Sequence, residues 1–352
     1  MVRDSLAAIR QWLQGGPRTH VLNSQNQEDL EARAGTREST VRVRPRSDTV
    51  SLEDATQLWP SLHRVETDWL GRNLSPTVSF ELWNDRGDVS CVFTSGDESL
   101  SLLEQARSQY RDATVTTETG AFALTTGQPT AVVALPLRRE GLLPIRRYDV
   151  EGFKADPYGP LVAELLGGGE LRAGLQVVVQ PAKNSWVRGG WTADSIEMVA
   201  ERLRSPSVRE SLGGVCEIEA SKAQRQTAQV VQAQAGMQAF HADVRIVVQA
   251  DTASTAITRA GTIARVFKRY YTSQSNQGFR QELLRGDDLR TVLEAVATRE
   301  VTTYGYGLLT TPELAGVAHV PSMSTLTPPV DGDPVSSYDV VPDRAPSFEG
   351  ES

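Results

Sequence analysis

The sequence predicts an α+β chain of two ferredoxin-like (βαββαβ) halves, and three observations carry that prediction. The first is a strand-and-helix unit over residues 241–271. His241-Ala-Asp-Val-Arg-Ile-Val-Val-Gln-Ala-Asp251 alternates, with Val244, Ile246, Val248 and Ala250 on one side and Asp243, Arg245 and Gln249 on the other. That is the two-residue period of a strand with one buried face. Ile257, Ala260, Ala264, Phe267 and Tyr271 then recur at spacings of three and four, the stripe of a helix that Asp251 or Thr252 caps. The second observation is the order strand, helix, two strands, helix, strand over residues 39–125. The third is the return of that order over 126–310, once an insertion of about sixty residues, too long for an ordinary loop, is set aside.

Taken in order, residues 1–38 carry an N-terminal helix and a polar linker. Leu6, Ile9 and Leu13 form a short amphipathic stripe capped by Asp4 or Ser5, which packs on the body or on a partner. The first half opens with Thr40-Val-Arg-Val-Arg-Pro45, Val41 and Val43 inward and the arginines outward, ended by Pro45. Residues 51–63 form a helix on Leu52, Ala55, Leu58 and Leu62, with Ser51 as cap and Asp54 in the capping-box position. Residues 77–93 form a hairpin whose arms alternate through Val78, Phe80 and Leu82 and through Val89, Cys91 and Phe93. A helix over 99–110 and a short β-branched strand over 114–118 complete the half.

The second half begins with an apolar strand over 130–137 and an extended piece over 144–148. A helix over 160–166 stops at Gly167-Gly-Gly169, and a strand over 174–180 turns Leu175, Val177 and Val179 inward. The insertion, about 182–240, holds a helix over 193–203 and an Ala/Gln-rich helix over 217–238. The 241–271 unit follows, then a helix over 287–298, with residues 301–309 as the last strand. Residues 311–352 read as a short helix and a disordered tail: from Pro321 on, Pro328-Pro329, Pro334, Pro342 and Pro346 alternate with Asp and Ser.

The totals fit this plan. At 352 residues and 39% hydrophobic the chain can fill two cores. A net charge of −8 argues against a protein that coats nucleic acid wholesale. Of the 36 basic residues only Lys154, Lys183, Lys222 and Lys268 are lysine; arginine with an acidic balance fits a GC-rich, salt-adapted prokaryotic source of haloarchaeal-like composition. Cys91 and Cys216 lack metal or redox spacing, and Cys91 falls on the inward side of its strand. No apolar run approaches a bilayer span and no signal-peptide core opens the sequence. A cytoplasmic protein is expected, peripheral to a membrane only through a partner.

Chemistry is hard to place on these residues. There is no Gly-rich loop ending in Lys-Ser or Lys-Thr, so no Walker A phosphate loop. His20, His63, His241 and His319 are scattered without zinc spacing, and no G-x-S-x-G elbow exposes a nucleophile. No catalytic, cofactor or metal residue is assigned, and a non-enzyme is expected. The candidate surface for a partner or for nucleic acid comprises Arg42, Arg44 and Arg46 on the first strand, Trp83 alternating outward on the next, and Arg259, Arg265, Lys268 and Arg269 on one helix. Arg138, Arg139, Arg146 and Arg147 form a further local cluster. Single-stranded nucleic acid is the competing occupant of such a face, although Ser90, Val92 and Thr94 offer no aromatic for stacking and basic residues also suit a helix C-terminus.

With these landmarks in order, the chain resembles the non-catalytic N-terminal region of archaeal and bacterial type IV secretion, or conjugative DNA-transfer, ATPases of the VirB4/VirD4 group. The resemblance is carried by Val41-Arg-Val-Arg-Pro45, Val78-Ser-Phe-Glu-Leu82, Ser108-Gln-Tyr-Arg-Asp112 and Asp156-Pro-Tyr158. It continues through Leu175-Gln-Val-Val-Val-Gln-Pro181 with Trp186, the 242–251 strand, and Leu308-Leu-Thr-Thr-Pro-Glu-Leu-Ala-Gly-Val-Ala-His-Val-Pro321. It covers roughly residues 40–330. Where that family's motor would begin, this chain runs into its tail, so ATP hydrolysis does not carry over. The resemblance implies a free-standing accessory module that docks with a separately encoded DNA-transfer ATPase or with that machine's membrane assembly. A virus or plasmid structural protein of the same fold is the remaining alternative.

Overall fold

The structure, a computed structural model, describes residues 16–25, 28–29, 39–48, 52–96, 101–118, 124–139, 141–147, 156–167, 171–188, 195–211 and 214–326. The N-terminal amphipathic helix, the Ser51 cap and the tail beyond 326 lie outside the described residues.

One ten-stranded antiparallel sheet organises the mixed α+β fold. A first block supplies β2 (Ser39–Pro45), α1 (Leu52–Ser61), β3 (Val78–Asp85), β4 (Asp88–Ser95), α2 (Leu102–Gln109) and β5 (Ala113–Glu118); β1 (His20–Val21) precedes it. A second block supplies β6 (Pro129–Ala134), α3 (Gly159–Leu166) and β7 (Arg172–Pro181), then β10 (Ala239–Gln249), α7 (Ala253–Arg265) and β11 (Glu282–Leu283). Between β7 and β10 lie α4 (Ser185–Arg188), α5 (Ile196–Arg204), β8 (Ser207–Ser211), β9 (Gly214–Ile218) and α6 (Lys222–Ala233). After β11 come α8 (Gly286–Thr298), β12 (Tyr306–Thr310), α9 (Thr311–Val317) and α10 (Met323–Leu326).

The strands of the first block lie side by side as β5-β2-β4-β3, and those of the second as β7-β10-β6-β11. Within each block, then, the fourth strand flanks the first, the first flanks the third, and the third flanks the second. The blocks meet where β3 pairs with β7, from Val78↔Val179 to Asp85↔Arg172. Two segments cross the seam. Residues 17–22, which precede the first block in the chain, dock on the second through the β1–β6 pair, with Leu22 buried and Gly286 N donating to Pro17 O at 2.8 Å. The 310–326 segment returns to the first block, where Trp59 Nε1 donates to Ala318 O at 2.9 Å and Met323 N to Ser47 O at 3.0 Å.

The sheet is covered along one face and, over β3, β6, β7 and β10, on the other as well. Toward one face point Phe80, Leu82, Phe93, Leu175, Val177, Val244, Ile246 and Val248, packed against α1, α2, α3, α7 and α9. The other face carries Trp83, Val132, Ala134 and Val247 against Leu289, Val292, Leu293 and Val296 of α8. A smaller core joins α5 and α6 through Val199, Ala200, Ala228 and Val231 to Leu142 and Leu143. Caps set these helix starts: Ser195 Oγ accepts from Met198 N, Ser221 and Gln224 form a capping box, and Thr252 accepts from Thr255 N.

Several sequence expectations change. Asp243, Arg245 and Gln249 do lie opposite Val244, Ile246 and Val248, yet they are buried too, because α8 and the loop after it cover Asp243 and Arg245 and the 125–130 stretch covers Gln249. Tyr271 leaves the apolar stripe. The chain tightens after Arg265 into a 3₁₀ turn, Val266–Tyr270, and each such residue advances about 20° further than in an α-helix. Tyr270 therefore turns inward, its hydroxyl donating to Gly316 O at 2.7 Å, and Tyr271 turns out. The strand expected over 301–309 begins only at Tyr306, because Asp243 Oδ2 holds Thr302 N at 2.7 Å in a loop; it pairs with β10, and β11 takes the place beside β6. The Ala/Gln-rich helix starts at Lys222, and Glu217 and Ile218 belong to the β8–β9 hairpin instead. Residues 17–22 dock rather than link, and Pro321 and Ser322 are buried rather than part of a tail.

Candidate functional site

The residues singled out from sequence do not form one surface. On β2 the three arginines alternate outward, but Arg42 is spent on a two-pronged pair with Glu118, Nε to Oε2 at 2.8 Å and Nη2 to Oε1 at 2.6 Å. Arg44 and, just past the strand, Arg46 are both exposed, and Arg46 Nε donates to Thr114 Oγ1 at 2.8 Å. Trp83 is not a surface ring. It is buried against its cross-strand partner Gly174, and its Nε1 donates to Glu81 Oε2 at 2.9 Å. The helix cluster also divides. Arg259 donates to Glu164 O and pairs with Glu164 Oε2 at 3.3 Å, tying α7 to α3, and Arg269 donates to Pro157 O. Arg265 and Lys268 are exposed.

Around Trp83 the covered face of the sheet holds a connected set of charges. Glu81 Oε1 accepts from Arg299 Nε at 2.8 Å, Gln176 Nε2 at 2.9 Å and Ser79 Oγ at 2.9 Å. Gln176 Oε1 in turn accepts from Arg245 Nε at 2.7 Å, and Arg245 reaches Asp243 Oδ2 at 3.2 Å and Ala295 O at 2.7 Å. Burial alone would raise the Glu81 pKa, but the Arg299 charge and the donors around it hold the carboxyl below its ordinary value. Burial lowers the pKa of Arg245 against the pull of Asp243 and Glu81. Asp243 Oδ1 has no partner, and a Cβ on Gly305 would stand 2.2 Å from it. Such a set fixes α8 and the 299–305 loop to the sheet; its members face one another and leave no room for a substrate.

A second constellation sits under the Glu313-Leu-Ala…His319 motif. His319 lies with Nε2 3.3 Å from Asp156 Oδ1 and Nδ1 3.1 Å from Ala315 O, its ring stacked on Tyr158 at 4.1 Å. Burial would raise the Asp156 pKa, yet His319 and the amides of Ser322 and Tyr158 pull it below the ordinary value. Glu313 accepts from Ile145 N and from Thr310 N and Oγ1, and burial pushes its pKa up. The motif is thus a clasp between α3, the 144–147 loop and α9. Among the described residues no group of three or more His, Cys, Asp or Glu is placed to hold a metal, and no helix is long and apolar enough to cross a membrane.

What the outside of the molecule offers is a rigid apolar tip. Between α1 and β3 the chain folds into a small hairpin closed by the Thr67↔Asn73 bridge and by Leu74 N donating to Glu66 O at 2.9 Å. Asp68 organises its turn: Oδ1 accepts from Leu70 N at 3.0 Å and Arg72 N at 2.7 Å, and Oδ2 from Arg72 Nε at 2.6 Å. Gly71 takes the left-handed φ of +75° that closes the turn, and its carbonyl accepts from Lys183 Nζ at 2.5 Å. On this frame Trp69 is 89% exposed and Leu70 58%, with Leu74 and Val65 exposed beside them. Arg64 pairs with Glu66 at 3.0 Å and Arg72 with Asp68, so the charges flanking the apolar pair are matched within the hairpin. Sequence reading passed over this stretch; the signal was there, two large apolar residues inside an Asp-x-x-Gly turn.

A protein-family model described as "Domain of unknown function (DUF8128)" matches residues 12–333. No curated protein matches the chain.

Proposed function

We propose that this chain, which belongs to the DUF8128 family over most of its length, works as a non-enzymatic docking module of a type IV secretion or conjugative DNA-transfer-like machine. In this reading it seats on a separately encoded ATPase or on that machine's membrane assembly. The observation that carries the docking part is the Trp69–Leu70 tip. Large apolar side chains at such exposure are costly to keep in water, and hot spots of protein interfaces are built from rigid, centrally placed aromatic anchors. Here the anchor is pre-organised by Asp68 and Gly71, so little conformational entropy is lost when a partner closes over it. The link to a DNA-transfer machine rests on the ordered motifs from Val41 to Pro321.

The same reading takes the two blocks as ferredoxin-like halves joined edge to edge. Its support is the strand order, fourth-first-third-second in both blocks, with helices α1 and α2 in the first and α3 and α7 in the second on one common face.

The test is affinity capture from the native host with the full chain, in parallel with a Trp69→Ser/Leu70→Ser variant. Recovery of a DNA-transfer ATPase or its membrane partner by the wild type, and its loss with the variant, is the expected result. Recovery of no such protein sinks the assignment to that machine, and equal recovery by both chains removes the hairpin as the anchor.

A further inference from the structure

A groove of about 570 Å³ opens between α6, the 144–147 loop and the 271–275 loop. It gathers what the sequence scatters. Arg146 and Arg147 line it, and Arg138 stands with its guanidinium carbon 5.4 Å from the centre of the Tyr271 ring, which is part of the wall. Arg139 lies beside them, its backbone N donating to Gln277 Oε1 at 3.1 Å and its Nη1 to Ser275 O at 3.4 Å. The remaining wall is hydroxyl, amide and aliphatic, and none of the described lining residues is acidic. On a chain of net charge −8 the groove gathers positive charge locally, while the Arg147 charge also acts on the buried Glu313.

The walls are fixed before any ligand arrives. Ser275 Oγ donates to Pro144 O at 2.6 Å and Arg146 N to Tyr270 O at 2.8 Å, which locks the two loops together. Thr272 N donates to Gln277 O at 2.9 Å, and Asn276 takes a left-handed φ of +52° to close that loop. The 3₁₀ turn ending at Tyr270 is what turns Tyr271 out toward the groove, and its hydroxyl donates to Asn276 Oδ1 at 3.1 Å.

We propose that this groove binds single-stranded nucleic acid, with Tyr271 as the stacking surface for a base and Arg138, Arg146 and Arg147 as the phosphate contacts. Clustered arginines alone would suit any polyanion. An exposed aromatic ring set among them adds a surface that a base can use and an acidic peptide cannot, the combination by which single strands are held without reading their sequence. The groove is partly open to solvent and its lining lacks the glycine-rich anion cradle of a mononucleotide site, which favours a strand laid across it over an enclosed free nucleotide. This inference does not rest on the docking role of the Trp69 hairpin, which lies on a different segment.

The experiment is fluorescence anisotropy of a labelled dT20 strand with the full chain at about 50 and 200 mM salt, with competition by duplex DNA, by a free nucleotide and by a polyglutamate peptide. Binding that weakens with salt is expected, and unlabelled dT20, added as a fourth competitor, should displace the probe more strongly than the other three. Tyr271→Ala should weaken it roughly 5- to 100-fold, and Arg146→Glu/Arg147→Glu should abolish it. Arg138→Ala, at an exposed position, serves as the variant least able to disturb folding and should weaken it severalfold. Arg42→Ala/Arg44→Ala/Arg46→Ala should leave it unchanged. No binding at the lower salt overturns the proposal. So does equal competition by duplex, nucleotide or polyglutamate, or retention of full affinity by the folded Tyr271 and Arg138 variants.

Discussion

The indole of Trp83 lies directly over Gly174, its cross-strand partner at the seam between the two blocks: a Cβ built on Gly174 would stand 1.9 Å from the ring. Gly174 has an ordinary extended backbone, so the requirement is for space and not for a left-handed φ. Gly174→Ala should force the indole off its Glu81 hydrogen bond and out of the α8 core. Overpacking of this kind costs about 1–3 kcal/mol, and more where a buried polar contact goes with it. Denaturant unfolding of the variant against the wild type measures the loss, and an unchanged midpoint would show that the ring can move aside at no cost.

The charges under α8 make a sharper prediction. Removing one member strands the others in a dry site, so Arg299→Ala should cost about 3–5 kcal/mol by leaving Glu81 without its ion pair. Replacing both Glu81 and Arg299 by Gln and Met should recover a good part of that loss, since no unpaired charge remains. A double-mutant cycle in urea reads the coupling directly. Additive single effects would mean that the pair does not act as a pair.

Acid should loosen the Asp156 clasp. Its carboxyl is held below the ordinary value in the folded protein, so its contribution is fully present above the unfolded value near about 3.9 and is lost as pH falls through the lower folded value. The stability gap between wild type and Asp156→Ala should therefore be wide at neutral pH and close on acidification toward about pH 2. A gap independent of pH would show that the carboxylate charge is not what the site uses.

His241 works in a different window. Burial, then the nearby Lys183 charge, lowers its pKa, and its ring stacks on Tyr306. The neutral ring is favoured on folding, so the stability it supports is present above about pH 6.5 and falls away as pH drops through the lower folded value. His241→Gln should flatten the stability profile between about pH 7 and 5, measured by thermal unfolding in a pH series.

Trp69 should behave in the opposite way to Trp83. At 89% exposure it has little to lose on folding, and Trp69→Ser should leave stability within about 0.5 kcal/mol. A large fall in unfolding temperature would mean that the ring packs on the body of the protein and is not an external anchor.

How much of this could be read from the sequence depended on whether the signal was local. The alternation of 241–251 and the stripes of α1, α2 and α7 are short-range patterns, and they placed most strands and helices to within a few residues. Polar identity misled where the second face was buried: Asp243 and Arg245 look like a solvated edge until α8 and the loop after it, some fifty residues later, cover them. Tyr270 and Tyr271 differ by one position, and only the tightening of the helix decides which is core. His319 and Asp156 are far apart in the chain, as are Arg138 and Tyr271, so no spacing rule could join them. The Trp69 turn was legible in principle, because Asp68 and Gly71 are turn residues, but an isolated apolar pair carries no periodicity to attract notice.

The two segments that cross the seam carry a consequence for how the chain tolerates cutting. Because residues 17–22 rest on the second block, and the 310–326 segment, clasped to the second block, also reaches Trp59, Ser47 and Asp48 of the first, neither block owns all the chain that completes it. A protein severed after β5 would leave each fragment missing a piece held by the other, with raw strand edges at β3 and β7. Co-expressed, the two fragments should find one another and reassemble; expressed alone, each should aggregate. Shortening the chain at one of these straps would be felt in the block farther away along the sequence.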